Sequence, residues 1–147
     1  METRTFVTNR LVKGEDLNHH GTLFAGRGAQ WFVEAGFIAA AGITKPESIL
    51  CLNVHGMLFK KPVNKGSIIR YESKVVFAGT TSLISYVTVH FGPHDEFLLE
   101  GFVTFINVDE TGRPIPHGIV IDALSPEDKA LQEKAEKLHH MRPVLSS

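Results

Sequence analysis

Asp16, Asn18, His19, His20 and Thr22 crowd together with Gly21 and Gly26 in residues 16–26, directly before a long apolar run. Short polar side chains and glycines in front of a helix let the backbone approach a ligand. The free N–H groups of the first helical turn can then polarise it. The donors expected here are the N–H groups around Phe24, Ala25 and Gly26, at the positive end of the helix dipole. Asn18 carries a side-chain amide that either holds a water or a carbonyl oxygen or bonds its own backbone as a turn residue. His19 and His20 offer imidazoles, and because adjacent residues generally point apart, at most one is expected to face a cleft. Asp16 is either an acid–base group or a cap on the loop.

Glu34 is the only acid between Asp16 and Glu47, and it stands in an otherwise apolar helix. A carboxylate there has to be paired or shifted in pKa. Arg27, Gln30 and Glu34 share one helical stripe. Glu34 is therefore either a base or water-orienting group, or a structural partner of Arg27 or of a dimer contact.

These residues need elements to hold them. Residues 5–12 read as a first strand, and residues 23–41 as a helix stopped at Gly42. That helix is apolar nearly all round, which predicts burial, and its many glycines and alanines admit close neighbours. Strands are expected at 49–59, 67–77, 82–91 and 97–108, the last ended by a turn at Asp109 and Gly112. Ser125 as N-cap, Pro126 in the first helical position and the acids Glu127 and Asp128 open a polar helix at about residues 125–141. The order β-α-β-β-β-β-α predicts an α+β fold.

At 147 residues, one domain over 1–147 is expected, with its core at about residues 5–118. A net charge of −1 gives no reason to expect nucleic acid or a membrane as a partner. Cys51 is the only cysteine, so no internal disulfide can form and no Cys-based zinc site is expected; no metal is implied. The charged start at Glu2 and Arg4 predicts no signal peptide, and a cytoplasmic protein is the plain expectation. The serine-nucleophile elbow, the phosphate loop and the dinucleotide fingerprint are all missing.

Four motifs in order resemble the hotdog-fold acyl-CoA thioesterases, in the acyl-CoA hydrolase branch. The branch pattern D-x-N-x-x-G-x-(I/L)-(F/H)-G-G is matched by Asp16, Asn18, Gly21, Leu23, Phe24 and Gly26, with Ala25 in place of the first paired glycine. G-M-x-F-x-x-P-V is matched from Gly56 to Val63, G-T-T-S from Gly79 to Ser82, and V-D-x-x-G-x-P from Val108 to Pro114. The resemblance implies a long central helix wrapped by a mainly antiparallel five-stranded sheet. It implies acyl-CoA as substrate, with coenzyme A as part of that substrate and no separate cofactor.

It also implies a homodimer, or a tetramer or hexamer built from it, with each site assembled across two chains. In the branch an acid stands nine residues after the Phe/His of the motif. Here that position is Val33, and Glu34 follows it. One residue is roughly 100° of helix, so Glu34 takes over that role only with a shift in register. Asn18 carries over directly, and Asp16 is the second candidate base. Thioester hydrolysis would use the helix N–H groups as oxyanion donors, Asn18 to place water or carbonyl, and a carboxylate to activate the water. His20, Lys60, Lys61, Arg70, Thr81 and Ser82 are the residues that would meet coenzyme A, or else are solvated surface. Two other readings compete: an acyl-CoA-binding hotdog protein without catalysis, and a hotdog enoyl hydratase or dehydratase.

Overall fold

The computed structural model of the chain describes residues 1–57 and 61–141. Strands β1 (Phe6–Leu11), β2 (Ile49–His55), β3 (Ile68–Ala78), β4 (Ser82–Phe91) and β5 (Glu96–Asn107) form one sheet in the order β1-β3-β4-β5-β2. Every pairing is antiparallel. Helix α1 (Ala25–Ala41) packs on one face of the sheet with the main core, and α2 (Pro126–His140) packs on the other against Val76, Ile84 and Phe102. Among the described residues no helix is long and apolar enough to cross a membrane.

Small residues let α1 lie close to the sheet. Gly28, Ala35, Gly36, Ala39 and Ala40 are buried with Trp31 and Phe32. A Cβ on Gly36 would come within 3.2 Å of the Val103 side chain, so the helix sits where only glycine fits without a shift. The short distance brings sheet hydroxyls to helix carbonyls. Tyr71 donates to Gly28 O at 3.1 Å, Ser73 to Ala35 O at 2.6 Å and Ser85 to Gly36 O at 2.8 Å. Burial pushes the Tyr71 hydroxyl well above its ordinary pKa, so it remains a donor. The expected all-round burial holds on one side only, because one sheet covers one side of a helix. Gln30 and Ile38 are exposed in the single chain.

Strand β2 ends at His55, earlier than the apolar run implies, because Gly56 takes a left-handed φ of +80°. Opposite it, Gly101 has no room for a side chain. A Cβ there would lie 2.4 Å from His55 O and 2.9 Å from the Phe32 ring. At α2, Ser125 Oγ accepts the Asp128 N–H at 3.0 Å, and the Lys74 ammonium pairs with the Asp128 carboxylate. That pairing holds the Asp128 carboxyl below the usual carboxylate range.

Two outcomes are expected. Gly101→Ala destabilises by about 1–3 kcal/mol through overpacking, read as a lower Tm; an unchanged Tm would show that β2 yields freely. Asp128 has a depressed folded-state pKa, so its contribution is present above its unfolded pKa of about 3.9 and is lost as pH falls through the lower folded value. Lys74→Ala should therefore flatten the stability–pH curve below about pH 4, as followed by denaturant titration at a series of pH values.

Candidate active site

The loop between β1 and α1 is closed by two side chains. Asp16 ends a single 3-10 turn, Gly14–Asp16, and is only 4% exposed. One carboxylate oxygen accepts the Lys13 N–H at 2.8 Å, and the other lies 3.2 Å from Arg27 Nε on the first turn of α1. Its carbonyl accepts the Phe24 N–H at 2.8 Å, which ties the start of the loop to its end. Asn18 holds the middle. Its Oδ1 accepts the N–H groups of His20 at 2.9 Å and Thr22 at 3.2 Å, and its Nδ2 donates to Thr22 Oγ1 at 3.1 Å. Gly21 supplies the positive φ of +80° that this turn requires. The Leu23 N–H bonds to Val63 O at 2.7 Å, which fastens the loop to the chain that follows β2.

Helix α1 begins without a side-chain cap; Phe24 is its N-cap residue. The Phe24 carbonyl accepts the N–H groups of Arg27 and Gly28 at 3.0 and 3.1 Å. The Phe24 N–H, expected among the oxyanion donors, is consumed by Asp16 O because it precedes the helix and closes the loop. The N–H groups of Ala25 and Gly26 bond to no protein group among the described residues, and both residues are exposed. They form an electropositive pair at the surface.

Glu34 lies one face round the same helix. Arg27, Gln30 and Glu34 do share a stripe, and Arg27 Nη1 reaches Gln30 Oε1 at 3.3 Å. The ion pair is made elsewhere. Glu34 Oε2 accepts from Arg10 Nη2 of β1 at 2.8 Å, and Oε1 accepts from Gln30 Nε2 at 3.2 Å. Arg27 is held by Asp16. Arg10, Asp16, Arg27, Gln30, Trp31 and Glu34 line a cleft of about 480 Å³. Val33, at the position of the branch's acid, is partly buried.

Other expected residues are placed differently. The rings of His19 and His20 do not point apart; in the turn their centroids are 4.0 Å apart, with the planes tilted by 42°. Both residues are exposed. Thr81 is partly buried, while Ser82 is 1% exposed, with Oγ 3.4 Å from His139 Nδ1. His117 Nε2 donates to Ser82 O at 2.8 Å and its Nδ1 accepts the Ile119 N–H, so two histidines brace the start of β4. Lys61 is exposed and pairs with Glu96; Arg70 pairs with Asp95. Lys60 lies outside the described residues. The fold thus gathers Asp16, Arg27, Gln30, Glu34 and Arg10 along one cleft, while Asn18 braces the loop before the first turn of α1 and Glu34 stands past the middle of the helix. Thr81 and Ser82 lie beyond the Ser85–Gly36 contact, toward the other end.

Sequence reasoning missed Arg10 and gave Thr22 no role of its own. A signal for Arg10 existed, since strand alternation puts it on the same face as Phe6 and Thr8, and the chain pairs Arg10 with the buried Ile69. A charge on that face needs a partner.

No protein-family model matches the chain. It is 27% identical to the uncharacterised acyl-CoA thioester hydrolase YkhA of Bacillus subtilis strain 168, over 96% of this chain and 89% of that protein. Among solved structures it superposes on an apo-hexameric acyl-CoA thioesterase with a TM-score of 0.77 and 27% identity, covering 96% of this chain and 94% of the other. It superposes on an acyl-CoA hydrolase from Bacillus cereus with a TM-score of 0.78 and 25% identity, covering 94% and 85%. The chain has the hotdog fold of these proteins.

Asp16→Ala leaves the Lys13 N–H and the Arg27 guanidinium without their acceptor and should cost about 1–3 kcal/mol. Denaturant unfolding measures it, and limited proteolysis within residues 13–24 should speed up. Unchanged stability and cleavage would mean the loop is held by Asn18 alone.

Proposed function

We propose that this hotdog chain is an acyl-CoA thioester hydrolase, which converts acyl-CoA and water to a free carboxylic acid and coenzyme A. The observation that carries the reading is the uncapped start of α1, where the N–H groups of Ala25 and Gly26 stand beside a loop fixed by Asn18. Its support is the likeness to the hexameric acyl-CoA thioesterase, and to YkhA, an uncharacterised protein named as an acyl-CoA thioester hydrolase.

In the proposed chemistry Asn18 of one chain faces Glu34 of a second copy of the chain across a dimer interface. The thioester carbonyl oxygen takes the Ala25 and Gly26 N–H donors, which stabilise negative charge as water adds to the carbon. The Asn18 NH₂ is proposed to steer water or carbonyl by exchanging its bonds to Thr22 Oγ1 and Leu23 O for the ligand. A carboxylate takes the water proton as the C–O bond forms. The tetrahedral intermediate then expels the coenzyme A thiolate, which receives the proton as the C–S bond breaks. Glu34 is the proposed base and Asp16 the second candidate, although Asp16 is buried in the closure of its own loop. His20, Lys60, Lys61, Thr81 and Ser82 are proposed contacts for coenzyme A.

Thr81 and Ser82 lie toward the opposite end of α1 from the N–H donors within one chain. That separation supports a homodimer in which two chains complete each site, and the likeness to hexameric thioesterases supports higher assembly. The cytoplasm, where acyl-CoA is available, is the proposed location.

A second reading has its own observation. Val33 replaces the branch's acid, and both oxygens of Glu34 already accept hydrogen bonds. A chain so built could bind acyl-CoA without hydrolysing it.

Thiol release from a panel of acyl-CoAs separates the two. Hydrolysis should be seen with at least one chain length, and Glu34→Gln should reduce turnover by about 10²–10⁴-fold. Asn18→Ala should lower turnover strongly with the oligomer intact by size-exclusion chromatography. Acyl-CoA binding with no thiol release at any chain length would establish the binding protein instead.

A further inference from the structure

We propose that Arg10 is a positioning residue for the Glu34 carboxylate, a role that rests on the hydrolase reading above. Arg10 belongs to β1 and Gln30 to α1, so the carboxylate is gripped from two elements, at Oε2 by Arg10 Nη2 (2.8 Å) and at Oε1 by Gln30 Nε2 (3.2 Å). The terminal torsion of a glutamate is broad and roughly two-fold. Two donors from different directions select one orientation of the plane. Arg10 is itself fixed, because its guanidinium lies over the Trp31 ring at 5.6 Å from the centroid, and Trp31 is buried against Tyr71.

Magnitudes favour orientation over stability as the purpose of this pair. The two side chains are 36% and 43% exposed. An ion pair so open to water contributes about 0–1 kcal/mol to folding, too little to justify a charge on the inward face of a strand. Arg27 cannot substitute, since its guanidinium is committed to Asp16 and Gln30. The Arg10 Nε–H is buried and bonds to no protein group among the described residues, so the guanidinium is held in place by its stacking on Trp31 and its grip on Glu34.

The test is a double-mutant cycle on the full-length protein, with kcat and KM measured separately by thiol release. Arg10→Gln should lower kcat about 10- to 100-fold, with KM and Tm little changed. Arg10→Lys, which restores a cation without the planar fork, should recover part of the loss. In the Glu34→Gln background, Arg10→Gln should have no further effect on kcat, because the group it orients is gone. A wild-type kcat in Arg10→Gln, alongside a large loss in Glu34→Gln, would overturn the positioning role and leave Glu34 as base. Losses that multiply in the double variant would also overturn it, by showing that Arg10 acts on substrate independently. Full activity in Glu34→Gln would remove the base assignment and the proposal together.

Discussion

Helix α1 rests on the sheet at a distance set by its smallest residues, and the position of every group in the candidate site is measured from that helix. Gly28, Ala35, Gly36 and Ala39 face strands whose inward side chains include Tyr71, Ser73 and Ser85. Larger residues at those positions would hold the helix off and break three hydroxyl bonds to its carbonyls. Glycine weakens a helix interior by roughly 1 kcal/mol against alanine. Close packing and the three hydroxyl bonds offset that cost. Once α1 is seated, its N-terminus, the Arg27–Gln30–Glu34 stripe and the reach of Arg10 from β1 are all fixed together.

The loop before the helix then has little freedom. Asp16 uses its carboxylate for Lys13 and Arg27 and its carbonyl for Phe24, so the residue that resembles a catalytic acid also holds the loop shut. Asn18 does the same in the middle of the loop through His20 and Thr22. These bonds engage both faces of the Asn18 amide, Oδ1 with N–H groups and Nδ2 with Thr22 Oγ1. They orient its amide, and a side chain with a fixed acceptor face has a fixed donor face. The two exposed N–H groups at Ala25 and Gly26 are what this closure leaves available.

The charges of the cleft are divided in pairs. Three cations and three carboxylates line it, and chain geometry decides the partners: Lys13 pairs with Glu15, Arg27 turns back to Asp16, and Arg10 crosses from β1 to Glu34. Gln30 bridges the two arginine pairs, accepting from Arg27 and donating to Glu34. Asp16 and Glu34 are thereby neutralised next to an apolar helix, where an unpaired charge would be costly. The exposed Asp109 turn shows the same economy with neutral donors. Its carboxylate takes the Thr111 and Arg113 N–H groups and the Thr111 hydroxyl, which hold its pKa below the usual range.

Local patterns carried the element order, the strands at β3, β4 and β5, both helices and the motif around Asn18. Each depends on neighbours in sequence: alternation, capping residues such as Ser125, and turn glycines such as Gly112. The loop role of Asn18 was legible for the same reason, because its partners His20 and Thr22 are two and four residues away. What joins distant segments was decided by tertiary structure. The partner of Glu34 is Arg10, 24 residues back, chosen by the β1–β3 register and the seating of α1 instead of by the nearer Arg27. β2 stops at His55 where Gly56 turns to a left-handed φ against Gly101 of the neighbouring strand, and Ser82 is buried because segments at His117 and His139 close over it. Sequence periodicity says which face of an element a residue occupies. Only packing says what stands opposite that face, and the chemistry of this cleft depends on what stands opposite.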